Sequence, residues 1–459
     1  MRITRSFSIG LILLSLLVFP NCGGEEEPGE ELNAEASASE LVLDNGLKLI
    51  VRPQQTAGSP LVTVALRTKA GLDQETPREV GYSALLARLL AAVDHSLEPL
   101  GSARIVELVP DGLIVSATVL AEDTPAAAAA VTGVLKAEFT ENEILAERDR
   151  LAAALVALGS ALQPSGEELV DRFLFPRSPY GVGYEEKLDS LHNLTAESFR
   201  RFAARCLRPE RTVVAATGAL TIGHVAGLRD MVEDWQPPAA EEPFGEWLGS
   251  VRIVPIRIVP RSGNEVSLLL ARRFDDPEAD SLYPALAVNF IINGRSTYSR
   301  FVAVQIQSGL EMPVTSALKL RPGGSFQLIN AVTPATKATE VLQNIRAVLE
   351  SLYQGPDESF KILEQELSDA KNSLRGGLLR RTETSEALAR FILWSESNGF
   401  DSPDVNDHLA MIESLDKERL LQEVQEHFNP SLYILIAVGP ENILRQQFSS
   451  LGEVEVVNP

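Results

Sequence analysis

The stretch from Lys69 to Leu90, KAGLDQETPREVGYSALLARLL, constrains this chain most. It follows Leu61-Val-Thr-Val-Ala-Leu66, whose β-branched residues and period-2 pattern predict a strand. Gly71 ends that strand. Pro77 suits a first helical turn, where its missing N–H would be unbonded anyway. Beyond Gly81, Tyr82, Leu85, Leu86, Leu89 and Leu90 recur at helical spacing and predict one buried face on a helix over 77–93. The unit is strand, turn, buried helix.

The same stretch resembles a motif of the insulinase, pitrilysin and mitochondrial-processing-peptidase family. There a strand ending in Ala-Gly is followed by a Glu, five residues, a Gly, two residues and His-x-x-Glu-His. Ala70-Gly71, Glu75, Gly81 and Tyr82-Ser83 fit this frame without a gap. The resemblance places the first metal His at Ala84, the general-base Glu at Ala87 and the second metal His at Arg88. The family's third ligand is a Glu seven residues after the Glu of a Glu-Arg pair. Glu147-Arg148 is present, and the ligand position holds Ala154. A catalytic zinc needs three protein donors and an open position. Alanine has no donor atom, and arginine stays protonated. The resemblance therefore implies a scaffold without its metal, cofactor or general base. Arg88 would place a fixed cation where the metal would sit, to pair with a carboxylate or hold a peptide carbonyl; the plain alternative is an Arg in a solvated salt bridge.

The fold expected is α+β, with two homologous domains, each a mixed or antiparallel sheet with helices packed on one side. Residues 39–235 would form the first peptidase-like domain, 236–249 a Pro-rich linker and 250–459 the second. In the first, Asn45-Gly46 marks a hairpin between Leu41 and Val51, strands follow at 104–109 and 113–120, and helices at 124–138, 141–162 and 195–207. Leu194, Pro209 and Gly218 recur at identical spacing as Leu415, Pro430 and Gly439, an internal repeat of helix, Pro stop, strand and Gly. The second half resembles the family's second domain at Asp276-Pro277, Asn289, Asn293-Gly294, Ser299-Arg300-Phe301 and Glu366-Leu367. The family's substrate-gripping Arg and Tyr fall near Gln305 and on Met312, so that pair is replaced too. The family implies that two such domains make a half-shell, and that two half-shells enclose a peptide.

The first 21 residues read as a signal peptide: Arg2 and Arg5, then an apolar run from Ile9 to Phe19, too short to span a bilayer comfortably. Cys22 and the acidic stretch after it resemble a bacterial lipoprotein, with Cys22 lipidated and 22–38 a disordered tether. A plain secreted protein with an unrelated Cys is the alternative. The expected location is the bacterial cell envelope, anchored to a membrane by lipid. A net charge of −22 argues against nucleic acid as a partner. Cys206 reads as a small buried hydrophobe. His95, His192, His224, His408 and His427 are too far apart in sequence for a local metal pair. No Gly-x-Ser-x-Gly elbow or P-loop is present.

The function expected is that of a catalytically inactive, membrane-tethered homologue of zinc metallopeptidases. It would serve as partner or peptide-holding subunit of an active family paralogue, in a heterodimer. An active metallopeptidase with an atypical site and a stand-alone envelope binding or scaffold lipoprotein are the alternatives.

Overall fold

The structure is a computed structural model. It describes residues 34–458 except 55–58, 93–95, 162–163, 237–246, 248–253, 275–278, 294–298, 355–361 and 402. The expected signal peptide, Cys22, Asp276-Pro277, Gly294, His95 and the linker apart from Gln236 and Trp247 lie outside the described residues.

The first half runs β1 (Ser39–Val42), β2 (Lys48–Pro53), β3 (Leu61–Thr68), α1 (Tyr82–Ala92), β4 (Ile105–Val109), β5 (Gly112–Leu120), α2 (Thr124–Thr132), α3 (Glu141–Ala161), α4 (Gly166–Leu174), α5 (Tyr184–His192), α6 (Ala196–Cys206), β6 (Thr212–Gly218) and α7 (Ile222–Glu233). The second runs β7 (Ile256–Pro260), β8 (Glu265–Arg273), α8 (Ala279–Asn293), α9 (Arg300–Ser308), β9 (Thr315–Lys319), β10 (Phe326–Pro334), α10 (Ala338–Tyr353), α11 (Glu364–Arg380), α12 (Ser385–Ser397), α13 (Val405–Glu413), α14 (Lys417–His427), β11 (Ile434–Gly439), α15 (Glu441–Phe448) and β12 (Val454–Val456).

The strands form two six-stranded mixed sheets, β1-β2-β6-β3-β5-β4 and β12-β7-β11-β8-β10-β9. Five strands correspond one to one, in order and in sense. β2 and β7 run parallel to β6 and β11, and the remaining pairs among the five are antiparallel. The sixth strands differ: β1 pairs antiparallel with β2, and β12 pairs parallel with β7. Gly46 adopts φ +87° in the turn before β2, as the Asn-Gly signal requires.

Residues 34–36, inside the stretch expected to be a disordered tether, meet the first domain: the Ala34 carbonyl accepts the Ile222 N–H. Glu35 bridges to Thr221, the Ala36 N–H donates to the Leu220 carbonyl, and the Ala36 methyl joins the first core.

Each sheet packs its own helices on one face. The other face meets a helix from the opposite half. α12 lies on β3 and β6 of the first sheet, where Ile50, Ala65 and Ala215 belong to the second half's core. Thr63 and Thr217 hydrogen-bond Ser385, the first residue of α12, through its hydroxyl (3.0 Å) and carbonyl (2.7 Å). Lys48 pairs with Glu396 at 2.7 Å, and Arg67 donates to the Leu393 carbonyl. In return, α4 lies on β8. Its Leu169, Val170, Phe173 and Leu174 pack with Leu269, Leu328 and Ile436 of the second sheet. Arg321 pairs with Asp171, and its guanidinium sits 4.0 Å over the Tyr180 ring. Ser165 and Glu168 form a capping box that starts α4.

Candidate functional site

The site is built on the turn between β3 and α1. A Cβ on Gly71 would lie 2.3 Å from the Gly112 nitrogen and 2.5 Å from the Pro110 oxygen. Those are backbone atoms of the neighbouring hairpin, so no side chain fits. Gly81 has φ +93°, which L side chains rarely adopt. It delays the helix, which starts at Tyr82 and not near Pro77 as expected. The buried Glu75 carboxylate accepts the Ser83 N–H at 2.8 Å, while the Ser83 hydroxyl donates to the Gly71 carbonyl at 2.8 Å. Together they satisfy the helix start from within the core. The indole N–H of Trp247 donates to the Glu75 carbonyl at 2.8 Å, pinning one point of the inter-half segment to this turn.

Burial raises the Glu75 carboxyl from 4.5 to about 7, against hydrogen bonds from Ser83 and Gly81 that lower it. A carboxyl whose folded value exceeds its unfolded one stabilises fully below about pH 4.5 and loses that contribution as pH rises through about 7. The loss approaches roughly 3 kcal/mol, at about 1.4 kcal/mol per pH unit. Glu423 is buried and raised to about 7 in the same way, with the same sign. Glu75→Gln keeps an acceptor for Ser83 and cannot ionise. It is therefore expected to flatten the fall in stability between pH 5 and pH 8, read by denaturant unfolding at several pH values. Parallel wild-type and variant curves would contradict the assignment.

Along α1, Leu85, Leu86, Leu89 and Leu90 are buried, whereas Ala84 and Ala87 are half-buried and pack only their methyls against the first core. Arg88 is exposed, with 44% of its side-chain surface accessible. α1 packs against α3, which carries Glu147 and the half-buried Ala154. Arg88 stands in a partly solvated salt bridge. Its Nε donates to Glu147 Oε1, and Arg150 Nη1 donates to Oε2 of the same carboxylate at 2.9 Å. Burial would raise the Glu147 carboxyl, but the Arg150 and Arg88 guanidiniums outweigh it and hold it below the ordinary range. The motif's second histidine position is thus occupied by one half of an ion pair between α1 and α3.

The positions the motif assigns to metal hold Ala84, Arg88 and Ala154, a set with no donor atom able to ligate. These residues do not fit a zinc ion, and Ala87 offers no base to activate water. Among the described residues, no three His, Cys, Asp or Glu side chains converge as a metal group elsewhere. His408 is buried, its ring nitrogens hydrogen-bonded to the Tyr283 and Ser395 hydroxyls. Cys206 is buried on α6, and burial pushes its thiol up to about 12, so it carries no reactive thiolate.

Gln305 lies on α9 and Met312 in the loop beyond, 59% exposed. No hydrogen bond or ion pair among the described residues joins either to Arg88 or Glu147. The neighbouring landmarks are structural: Arg300 makes a two-pronged pair with Glu366, both bonds 3.0 Å, tying α9 to α11. A cavity of about 470 Å³ opens where the halves meet, between Arg67, Asp111, Arg321 and Trp394, and none of the four motif positions lines it.

β4 is an edge strand of the first sheet and packs against α1. At one end Arg104 donates to the Leu90 carbonyl, and at the other the Asp73 N–H donates to the Pro110 carbonyl. No strand among the described residues pairs with its outer edge.

Known proteins match this architecture. Residues 193–374 match the family model described as "Peptidase M16 inactive domain". An uncharacterized zinc protease of Mycobacterium bovis is 26% identical over 339 residues, covering 72% of this chain and 75% of the relative. Its Mycobacterium tuberculosis counterpart matches to the same extent. Among solved structures, a peptidase M16 inactive domain from Pseudomonas fluorescens superposes with a TM-score of 0.71 at 19% identity, covering 88% of this chain and 98% of that one. A protease from Helicobacter pylori superposes with the same TM-score at 16% identity, covering 88% and 100%. With the motif frame intact and its donor atoms replaced, these matches make the chain a non-catalytic M16 peptidase-like homologue.

Proposed function

We propose that this chain is a membrane-tethered, non-catalytic subunit that holds an extended peptide for an active relative. The observation that carries the reading is β4, an edge strand whose outer side no strand among the described residues pairs with, running beside a helix whose catalytic positions hold Ala84, Ala87 and Arg88. An exposed edge offers backbone donors and acceptors to an incoming strand. Alanine at those positions leaves room beside it. The test is reconstitution with a family member from the same cell that carries an intact His-x-x-Glu-His. Co-elution of the two, and peptide hydrolysis by the pair exceeding that of the relative alone, are expected. A relative fully active alone that never co-elutes would replace this reading with a stand-alone binding protein.

The tether rests on Cys22 and the apolar segment before it. Among the described residues, no helix is long and apolar enough to cross a membrane. Acyl chains on Cys22 would supply the attachment at about 0.8 kcal/mol per buried methylene. Cys22→Ala is expected to move the protein from the membrane to the soluble fraction in detergent partitioning. A variant that still partitions like wild type rules out the anchor.

A further inference from the structure

The geometry points to Arg88 and Arg150 as a carboxylate-reading pair, so that the peptide held beside β4 is acidic where it passes α1. This rests on the peptide-holding reading above and adds the chemistry that the replaced site would select.

The two guanidiniums share one carboxylate. Glu147 is only 9% exposed, and each of its oxygens accepts from a different arginine. The buried acid therefore holds both cations in place, and the trio keeps a net charge of +1. Arg88 commits its Nε to Glu147, and among the described residues no acceptor meets its two Nη groups. Those two nitrogens form the planar fork that grips a carboxylate through two parallel hydrogen bonds. Arg150 commits one Nη and is 71% exposed. Because Glu147 fixes the Arg88 head, the fork is set before a ligand arrives, which lowers the entropy cost of binding.

The surroundings favour the same ligand. Ala84 and Ala87 on α1 and Ala154 on α3 present only methyl groups, so no other side chain at the motif positions competes for the carboxylate. The chain as a whole carries −22, which repels acidic peptides at a distance. At physiological salt that field is screened beyond about 8 Å. The local positive charge then decides at contact range. A zinc site would present its own positive charge here; this chain presents guanidinium, which recognises carboxylate oxygens and polarises nothing.

The test uses the full chain and a fluorescein-labelled, C-terminally amidated peptide of alternating Thr and Val. Glu is placed at each position in turn, with Gln at the same positions as reference. Anisotropy titrations are expected to show one or two positions where Glu binds roughly ten-fold more tightly than Gln, a charge-assisted bidentate contact. Arg88→Gln should erase that difference, and Arg88→Lys should restore part of it. A cooperative melt near the wild-type Tm checks that each variant folds. A Gln peptide with a free C-terminal carboxylate separates a side-chain reader from a reader of chain ends. If it alone gains affinity, the ligand is a C-terminus and the side-chain assignment is overturned. Equal binding of Glu and Gln peptides at every position overturns this inference and leaves peptide holding intact. Binding of no peptide at all overturns both.

Discussion

Expressed without its second half, a chain ending at residue 249 will not give a soluble, cooperatively unfolding domain. The first sheet owes one face to α12. Removing that helix exposes Ile50, Ala65 and Ala215, each fully buried in the intact chain. It also cuts the bonds from Thr63, Thr217, Arg67 and Lys48 to residues 385–396. The truncated chain would still carry α4, whose Leu169, Val170, Phe173 and Leu174 would have lost the second sheet. Burying each of these is worth roughly 1.5–3 kcal/mol, so four together approach about 6–12 kcal/mol as an upper estimate. That is comparable with the whole stability of an ordinary domain, about 5–15 kcal/mol. Aggregation, or a soluble species with strong hydrophobic-dye binding and no sharp melt, is expected. Co-expression of residues 34–249 with 250–459 should recover a complex. A soluble first half with a cooperative transition would show that the exchanged helices are ornaments on two independent cores.

The second large effect is a gain. The combined variant Ala84→His, Ala87→Glu, Arg88→His and Ala154→Glu is expected to bind zinc, about one per chain, because three donors then stand where the motif places them. The backbone these residues need is in place: the close approach at Gly71, the positive φ at Gly81 and the Glu75 contact to Ser83. Zinc at a hundred times its dissociation constant should then stabilise the variant by about 2.7 kcal/mol, read as a rise in Tm on adding metal. Wild type should show no such rise. A folded variant that takes up no zinc would mean that α1 and α3 have moved from the arrangement the motif requires.

Much of this was legible in the sequence. β3, Gly71, Glu75, Gly81 and the apolar face of α1 are local signals, and local sterics dictate them. The start of α1 was misplaced because Pro77 is compatible with a helix start, whereas the decisive interaction is a buried carboxylate from Glu75, eight residues before the N–H it receives. The Arg88 partner was out of reach because Glu147 lies 59 residues away on another helix. The helix exchange left no mark either. The amphipathic pattern of α4 states that one face is buried, but the same pattern would serve against either sheet.

Elemental analysis of the purified natural chain, paired with a peptide-hydrolysis assay on the same sample, decides whether the chain carries metal chemistry. No stoichiometric zinc and no hydrolysis attributable to the chain are expected. Zinc near one per chain, removed by a chelator together with peptidase activity and restored with it, would contradict the account.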